Sequence, residues 1–500
     1  PVRLEGESIT TDPLGATDLV GCRFRLVQRR AHPLQPPTHA GQARAVRAEA
    51  ARVAVAEKLP VSSKSFRRVD LVKDSARPFY REMATLELMA AGIDLITNAR
   101  FAAPGDAWAV DIDGLLKVSD APLAYAPLLV SSHRVARPSP GAALDGVPTH
   151  RLGLSAPLRL PYKLRHHVAD GYRLALAARG LAASGVDSGR GIVIGQDRET
   201  AFFVDTAQYQ PALDAALQAT KPDQLPTAPR RVKECAGCRF WELCRPRLEA
   251  VDELSLFLPG DRARDYRERG IETVQGLIDA RLGEPSALAQ AWRDGIDLLR
   301  RPGFVAPPRA DVEVDVDMEA YLDQGAYLWG AWHAGEYQPF VTWHQLGGAA
   351  EAANFQAFWS WLMGLRAKAH AAGKTFAAYC YSAHGENHWM TMSAERFGAP
   401  PVEEVRAFIA SEEWVDMFTY VKRSFAGPHG LGLKIVAPLA GHRWAEDDFD
   451  GEESVNARRD AVRGDAEARR RLLEYNAGDV RATAAIREWM SAGAPGVPSL

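Results

Sequence analysis

"DVEVDVDMEA", Asp311 to Ala320, alternates between acidic and apolar residues along its length. Successive side chains of an extended strand point to opposite faces, so Val312, Val314, Val316 and Met318 share one face. Glu313, Asp315, Asp317 and Glu319 share the other. The apolar face needs a core. The acidic face has two readings: the solvated outside of an exposed strand, or a wall facing a cation. Four carboxylates in a row repel one another, and a bound cation is what most easily relieves that repulsion.

Two later stretches supply partners. "YCYSAHGENHWM", Tyr379 to Met390, reads as a strand leading into a turn and a helix, with Glu386 at the turn. "LLEYNAGDVRATAAIREWM", Leu472 to Met490, has helical apolar spacing, and Tyr475 and Asp479, four apart, lie on one helix face. The Pro-rich "RPGFVAPPRA", Arg301 to Ala310, marks a domain boundary just before the acidic strand.

An Asp-x-Glu strand, an acid after a central strand and a Tyr-x3-Asp late helix together resemble the DEDD exonucleases of RNase H-like fold. The YprB-like branch, which follows RecB-like domains, is the closer likeness. The resemblance implies that Asp317, Glu319, Glu386 and Asp479 hold Mg²⁺ or Mn²⁺, with Tyr475 orienting the attacking water. Glu386 stands where the wider group has Asp. Asp416, in "EEWVDMFTYV", is a further or alternative acid. "GLGLKIVAPLAGHRW", Gly430 to Trp444, also matches the branch; its Lys434 either meets a phosphate or caps surface structure.

"KECAGCRFWELC", Lys233 to Cys244, holds three of the five cysteines as C-x2-C-x5-C. In a reducing compartment such spacing reads as a metal site before it reads as disulfides. Zinc needs a fourth ligand, and no cysteine or histidine follows nearby. Cys380, in the apolar "FAAYCYS", reads as a core thiol, and Cys22 lies far upstream in "DLVGCRFRLVQRR". One cysteine before a nuclease domain and C-x2-C-x5-C after it resembles the iron-staple branch of the RecB-like nucleases, AddB-type proteins included. The resemblance implies that Cys22, Cys235, Cys238 and Cys244 bind a structural [4Fe-4S] cluster. Such a cross-link closes a long loop and lowers the entropy of the unfolded chain.

Between these cysteines, "FYREMATLELMAAGIDLI" (79–96) reads as an amphipathic helix, and "AWAVDIDGLLKV" (107–118) and "YAPLLVSSHRV" (125–135) as strands. The RecB-like pattern wants an Asp on the first strand and D/E-x-K on the next. Asp113 supplies the first, with Asp111 on the same face, but "LLVSSHRV" carries neither acid nor lysine. "GYRLALAARGL" (171–181) is helical without the Gln and Tyr of the Q-x3-Y motif. A divalent ion would be poorly held, so this is a degenerate nuclease fold that grips nucleic acid rather than cutting it. His133 and Arg134 are either phosphate contacts or ordinary surface residues. Farther on, two short helical patterns flank "RGIET" (269–273), a helix-hairpin-helix-like unit or a plain connector.

The expected fold class is α/β throughout. A restriction-endonuclease-like domain spans residues 1–250, a helical linker 251–305, and an RNase H-like DEDD exonuclease domain 306–500. The 500 residues carry a formal net charge of −3 and are 47 % apolar, which suits several cores and leaves room for local basic grooves. No apolar run approaches the roughly 20 residues that cross a bilayer, and no signal-peptide pattern opens the chain, so a soluble cytoplasmic protein is expected, with no membrane partner. The expected activity is that of a metal-dependent nuclease, a 3′→5′ exonuclease on single-stranded or frayed DNA ends in repair or processing. RNA is the second substrate, and repair or mobile-element proteins are candidate partners. The alternative is a non-catalytic nucleic-acid-binding adaptor in which both nuclease folds serve as scaffolds.

Overall fold

A computed structural model describes residues 13–73, 77–103, 108–445 and 451–500. The chain divides into two compact units, Pro1–Gly270 and Ile271–Leu500, and is a mixed α/β protein with several sheets. Among the described residues, no helix is long and apolar enough to cross a membrane.

The N-terminal unit is built on an eight-stranded sheet. Its spatial order is Arg68–Asp70, Leu95–Ala103, Trp108–Asp120, Leu123–Val130, Arg190–Ile194, Thr200–Asp205, Leu144–Pro148 and Leu158–Leu160. The strands alternate between two cores. Ile96, Leu115, Leu129 and Val193 pack with Leu174, Ala177 and Leu181 of the helix Val168–Ala183. Leu95, Leu116, Leu128 and Ile192 pack with Val55 of the helix His39–Lys58 and with Leu59 just after it. The helix expected over 79–96 runs only from Pro78 to Ala90. Gly92, with φ +64°, turns the chain in a way that side chains resist, and Leu95 and Ile96 enter a strand instead.

The C-terminal unit contains the acidic stretch as β1 (Val312–Tyr321). An antiparallel meander adds β2 (Gly325–His333) and β3 (Glu336–Val341). On the other side of β1, β4 (Phe376–Cys380) and β5 (Trp414–Asp416) run parallel to it, giving the order β3-β2-β1-β4-β5. Helix α1 (Ala349–Ala371) covers one face, where Phe355, Phe358 and Leu362 meet Val314, Val316 and Trp329. Helix α2 (His384–Phe397) adds Trp389 and Met390 to this core. Helix α3 (Ala466–Ser491) covers the opposite face, with Ala482, Ile486 and Met490 packed among Ala377, Tyr379 and Val415. The segment Arg301–Ala310 is tied into this unit: Leu299–Arg300 pairs with Phe425–Ala426, and the Arg301 N–H donates to the Ser424 carbonyl at 2.8 Å.

The acidic face of β1 therefore lies under a helix and is not bathed in water. Its near half is neutralised by protein. Arg487 of α3 clasps Asp315 with two N–H groups at 2.8 and 3.2 Å and also pairs with Glu313. Arg309 takes the other side of Glu313 at 2.6 and 2.8 Å. Burial alone would push the Glu313 carboxyl up, but Arg309, the Ala310 N–H and Arg487 hold it down to about 2. Asp315 is fully buried, so removing its counterion strands a charge. Arg487→Ala is expected to lower the unfolding free energy by about 3–5 kcal/mol in urea titration, the cost of breaking a buried pair on one side. A loss below about 1 kcal/mol, the range of exposed pairs, would show that the clasp is not holding α3 on β1.

Candidate metal centre

Among the described residues, no such arginine meets the far half of the same face. Asp317 and Glu319, two apart on β1, and Asp479, from the middle of α3, bring carboxylate oxygens within 4.8 Å of one another. Among the described residues this is the one group of three acidic, imidazole or thiol ligands so tightly drawn together. An octahedral Mg²⁺ with oxygens at about 2.1 Å sets neighbouring ligands about 3.0 Å apart and opposite ones about 4.2 Å apart, so the trio fits such an ion. Burial raises all three carboxyls above their usual range. Repulsion from Asp479 and Glu386 raises Asp317 and Glu319 further.

Asp317 and Asp479 are each held by a separate device. Asp317 accepts a hydrogen bond from the Asn476 amide at 2.7 Å, and the Tyr337 hydroxyl of β3 donates to the other end of that amide at 2.7 Å. Asn476 reaches Asp317 because the cross-strand partner of Asp317 is Gly330. A Cβ at position 330 would stand 1.7 Å from the Asn476 oxygen. Asp479 accepts from the Trp444 indole at 2.8 Å and from the Tyr475 hydroxyl one turn earlier. The Lys434 ammonium lies 5.1 Å from the Tyr475 ring centroid and 5.9 Å from that of Trp444, and its charge favours the ionised forms of Glu319 and Asp479.

Glu386, in the first turn of α2, is buried and stands outside the 4.8 Å group, though its charge acts on Asp317 and Glu319. Its own carboxyl is pushed up by burial, and then by Asp416 and Asp479. Asp416 is engaged as a helix cap, accepting from the N–H groups of Phe418 and Ser382 at 2.9 Å each. Cys380 is fully buried in the core. Sequence reasoning passed over Asn476, Trp444, Tyr337 and Gly330. The first two sat inside quoted stretches, one residue from Tyr475 and ten from Lys434.

In the N-terminal unit the two strand acids meet guanidinium groups. Asp113 pairs with Arg52 at 2.9 Å and with Arg173 at 3.6 Å, and accepts from the Val130 N–H at 2.8 Å. Asp111 pairs with Arg81 and, at 2.8 Å, with Arg100. His133 stacks on His167 with centroids 4.3 Å apart.

The four cysteines are all unbridged. Cys22 and Cys235, Cys238 and Cys244 come from opposite ends of the unit, and their charges act on one another. Burial pushes the Cys235 thiol up to about 11, and Cys22, Cys238 and Cys244 add to the rise. Gln28 donates to the Cys244 sulfur at 3.3 Å, and Gln35 to the Arg239 carbonyl at 3.2 Å, tying the two ends together. No three of these sulfurs fall within 4.8 Å of one another.

The order of the five strands and the acid trio formed by the central one and α3 point to a nuclease-type fold. Residues 315–491 form an RNase H superfamily domain, matching its RNase_H_2 family. The match begins inside β1 and ends with α3, leaving the N-terminal unit outside it. No curated protein and no solved structure matches the chain.

The RNase H domain's raised carboxyls give a pH test. In the metal-free protein these acids hold protons that the unfolded chain, with pKa values near 4, has already lost. Their stabilising contribution is therefore present below about pH 4 and is lost as pH rises through the folded values. A divalent ion binds only the ionised acids and reverses that loss. The gap between the melting temperatures with Mn²⁺ and with chelator is expected to widen from about pH 5 to about pH 8 in scanning calorimetry. A gap that stays constant would count against the trio as metal ligands.

Proposed function

We propose that the C-terminal domain is a metal-dependent nuclease that removes nucleotides from the 3′ end of a single or frayed strand, DNA ahead of RNA. The observation that carries this reading is the split of the β1 acids. Among the described residues two are matched by arginines and two are not, and the second pair is completed by Asp479 into a site that suits a divalent ion. Bound divalent ions would supply an activated water and stabilise the leaving 3′ oxygen of a phosphodiester. In this reading Asp317, Glu319, Glu386 and Asp479 would hold the ions. The Tyr475 hydroxyl spends its proton on Asp479 and so offers its oxygen to a water hydrogen, which would orient that water. Lys434 is placed to meet a phosphate oxygen.

The N-terminal unit, in this proposal, is a RecB-like fold that binds without cutting. Its candidate metal acid Asp113 is already flanked by two guanidinium groups. We also propose that Cys22, Cys235, Cys238 and Cys244 hold a [4Fe-4S] cluster. The C-x2-C-x5-C spacing with Cys22 upstream supports this reading, since such a cluster binds four thiolates, each through a different iron. Cross-linking the two ends of a unit is a structural task that suits such a group.

Purified protein with Mn²⁺ and strands labelled at either end tests the activity. Asp317→Asn and Asp479→Asn are expected to reduce hydrolysis by orders of magnitude without unfolding the protein, Tyr475→Phe to slow it with little change in metal affinity, and Asp113→Ala to leave it intact. If Asp113→Ala abolishes cleavage and Asp317→Asn does not, the active unit is the other one. If no labelled strand is shortened, the adaptor reading stands.

Anaerobically purified protein is expected to be brown, with iron and sulfide bound in amounts that fall when Cys22 or Cys244 is changed to Ser and hold when Cys380 is. Colourless protein with stoichiometric zinc would overturn the cluster.

A further inference from the structure

Beside the acid trio, the RNase H domain has a cavity of about 210 Å³. One wall is a face of α3 carrying Arg471, Glu474, Tyr475, Gly478 and Arg481, and the other is the segment from His442 to Ala445. Offsets of three, four, seven and ten residues place those five α3 positions on one side of the helix. The cavity adjoins the metal centre directly: Trp444 and Tyr475 line it and also bond to Asp479. Close packing fixes its floor, since a Cβ on Gly478 would stand 2.6 Å from the Trp444 ring.

The lining is cationic and aromatic. Among the described residues that line it are Arg443, Arg471 and Arg481, with Glu474, which is itself paired with Arg470. Arg471 has an ionic neighbour in Glu453 at 3.7 Å, and the Arg481 guanidinium lies over the Trp332 ring at 5.3 Å. Burial and the charge of Arg481 both lower the His442 pKa, so that ring is neutral at physiological pH and presents an aromatic surface. Guanidinium groups beside aromatic rings are the chemistry that takes a phosphate and its attached base from a single strand.

We propose that this cavity is the subsite for the phosphate adjoining the one hydrolysed, held by Arg443, Arg471 and Arg481. The assignment rests on the nuclease reading above. A strand whose scissile phosphate lies at Asp317, Glu319 and Asp479 passes Trp444 and Tyr475 into the cavity, so the cavity governs how firmly the strand is seated.

The test uses the full chain and fluorescent dT20 and rU20, with anisotropy measured in chelator over a range of salt and hydrolysis measured separately in Mn²⁺. Replacing all three arginines by Ala is expected to weaken binding about 10- to 100-fold. It should lessen the slope of log affinity against log salt by about 0.7, the share of one single-strand phosphate. KM should rise with kcat little changed. The triple Arg→Lys variant should keep the slope. If the triple Ala variant does not fold, Arg443→Ala alone should still raise KM, because residue 443 lies on an exposed segment. Unchanged slope and KM in a variant whose parent cuts overturns the subsite and leaves the nuclease reading standing. A wild-type protein that cuts nothing, but loses affinity and slope when the arginines go, overturns the nuclease reading and leaves the anion-binding cavity. Equal effects on dT20 and rU20 assign the site to phosphate, and an effect on one alone assigns it to the sugar and overturns the proposal.

Discussion

Four carboxylates on one face of one strand cannot stay ionised side by side without compensating positive charge, and the C-terminal domain is organised around how that charge is supplied. Arg487 and Arg309 serve Glu313 and Asp315. Among the described residues no arginine is paired with Asp317 or Glu319, and Lys434 favours the ionised form of Glu319 through its charge. The strand is thus divided along its length into a part that is electrostatically closed and a part that is open. The closed part has the energetics of a structural ion cluster: Asp315 and Arg487 are buried, joined by two N–H groups and unable to release each other cheaply. The open part has the energetics of a binding site. Its carboxyls are held in a poorly solvated place where their charged forms repel, and a divalent ion relieves both costs at once.

Helix α3 performs both tasks. Tyr475, Asp479, Thr483 and Arg487 recur every four residues along it, so a single helical stripe meets β1 with a ligand at one end and a counterion at the other. The ion pair anchors the helix in register, and the register delivers Asp479 to Asp317 and Glu319. Asn476 adds a second tie from the neighbouring position on the helix, passing between Tyr337 and Asp317. Apolar packing of Ala482, Ile486 and Met490 supplies the adhesion, while these polar contacts select one alignment out of the several that packing would tolerate.

Much of this was legible in the sequence, and the limits have physical causes. Alternation over Asp311–Ala320 is a local property, so the strand and its two faces could be read directly. The identity of the counterion could not, because Arg487 lies 172 residues from Asp315 and nothing in local periodicity pairs them. Asp317, Glu319 and Asp479 came together as the motif implied. Glu386 was placed by analogy at the same ring, and in the first turn of α2 it lies outside the tight group. Asn476 was missed because its role depends on an absence, the missing side chain of Gly330. In the N-terminal unit, the helix read over 79–96 continued too far because Leu95 and Ile96 satisfy a helical and a strand pattern equally; the turn at Gly92 decides between them. The arginines around Asp111 and Asp113 come from four separate places in the chain, which no motif spans.

The contact between Asn476 and Asp317 joins residues 159 apart, with the strand made early and the helix late. During synthesis, β1 leaves the ribosome with its open carboxylates long before the helix that completes their site. A nascent chain therefore carries the acidic strand but no assembled carboxylate trio until α3 has been made and docks. A chain ending before Asp479 would lack the third carboxylate of that trio, however well its sheet had folded.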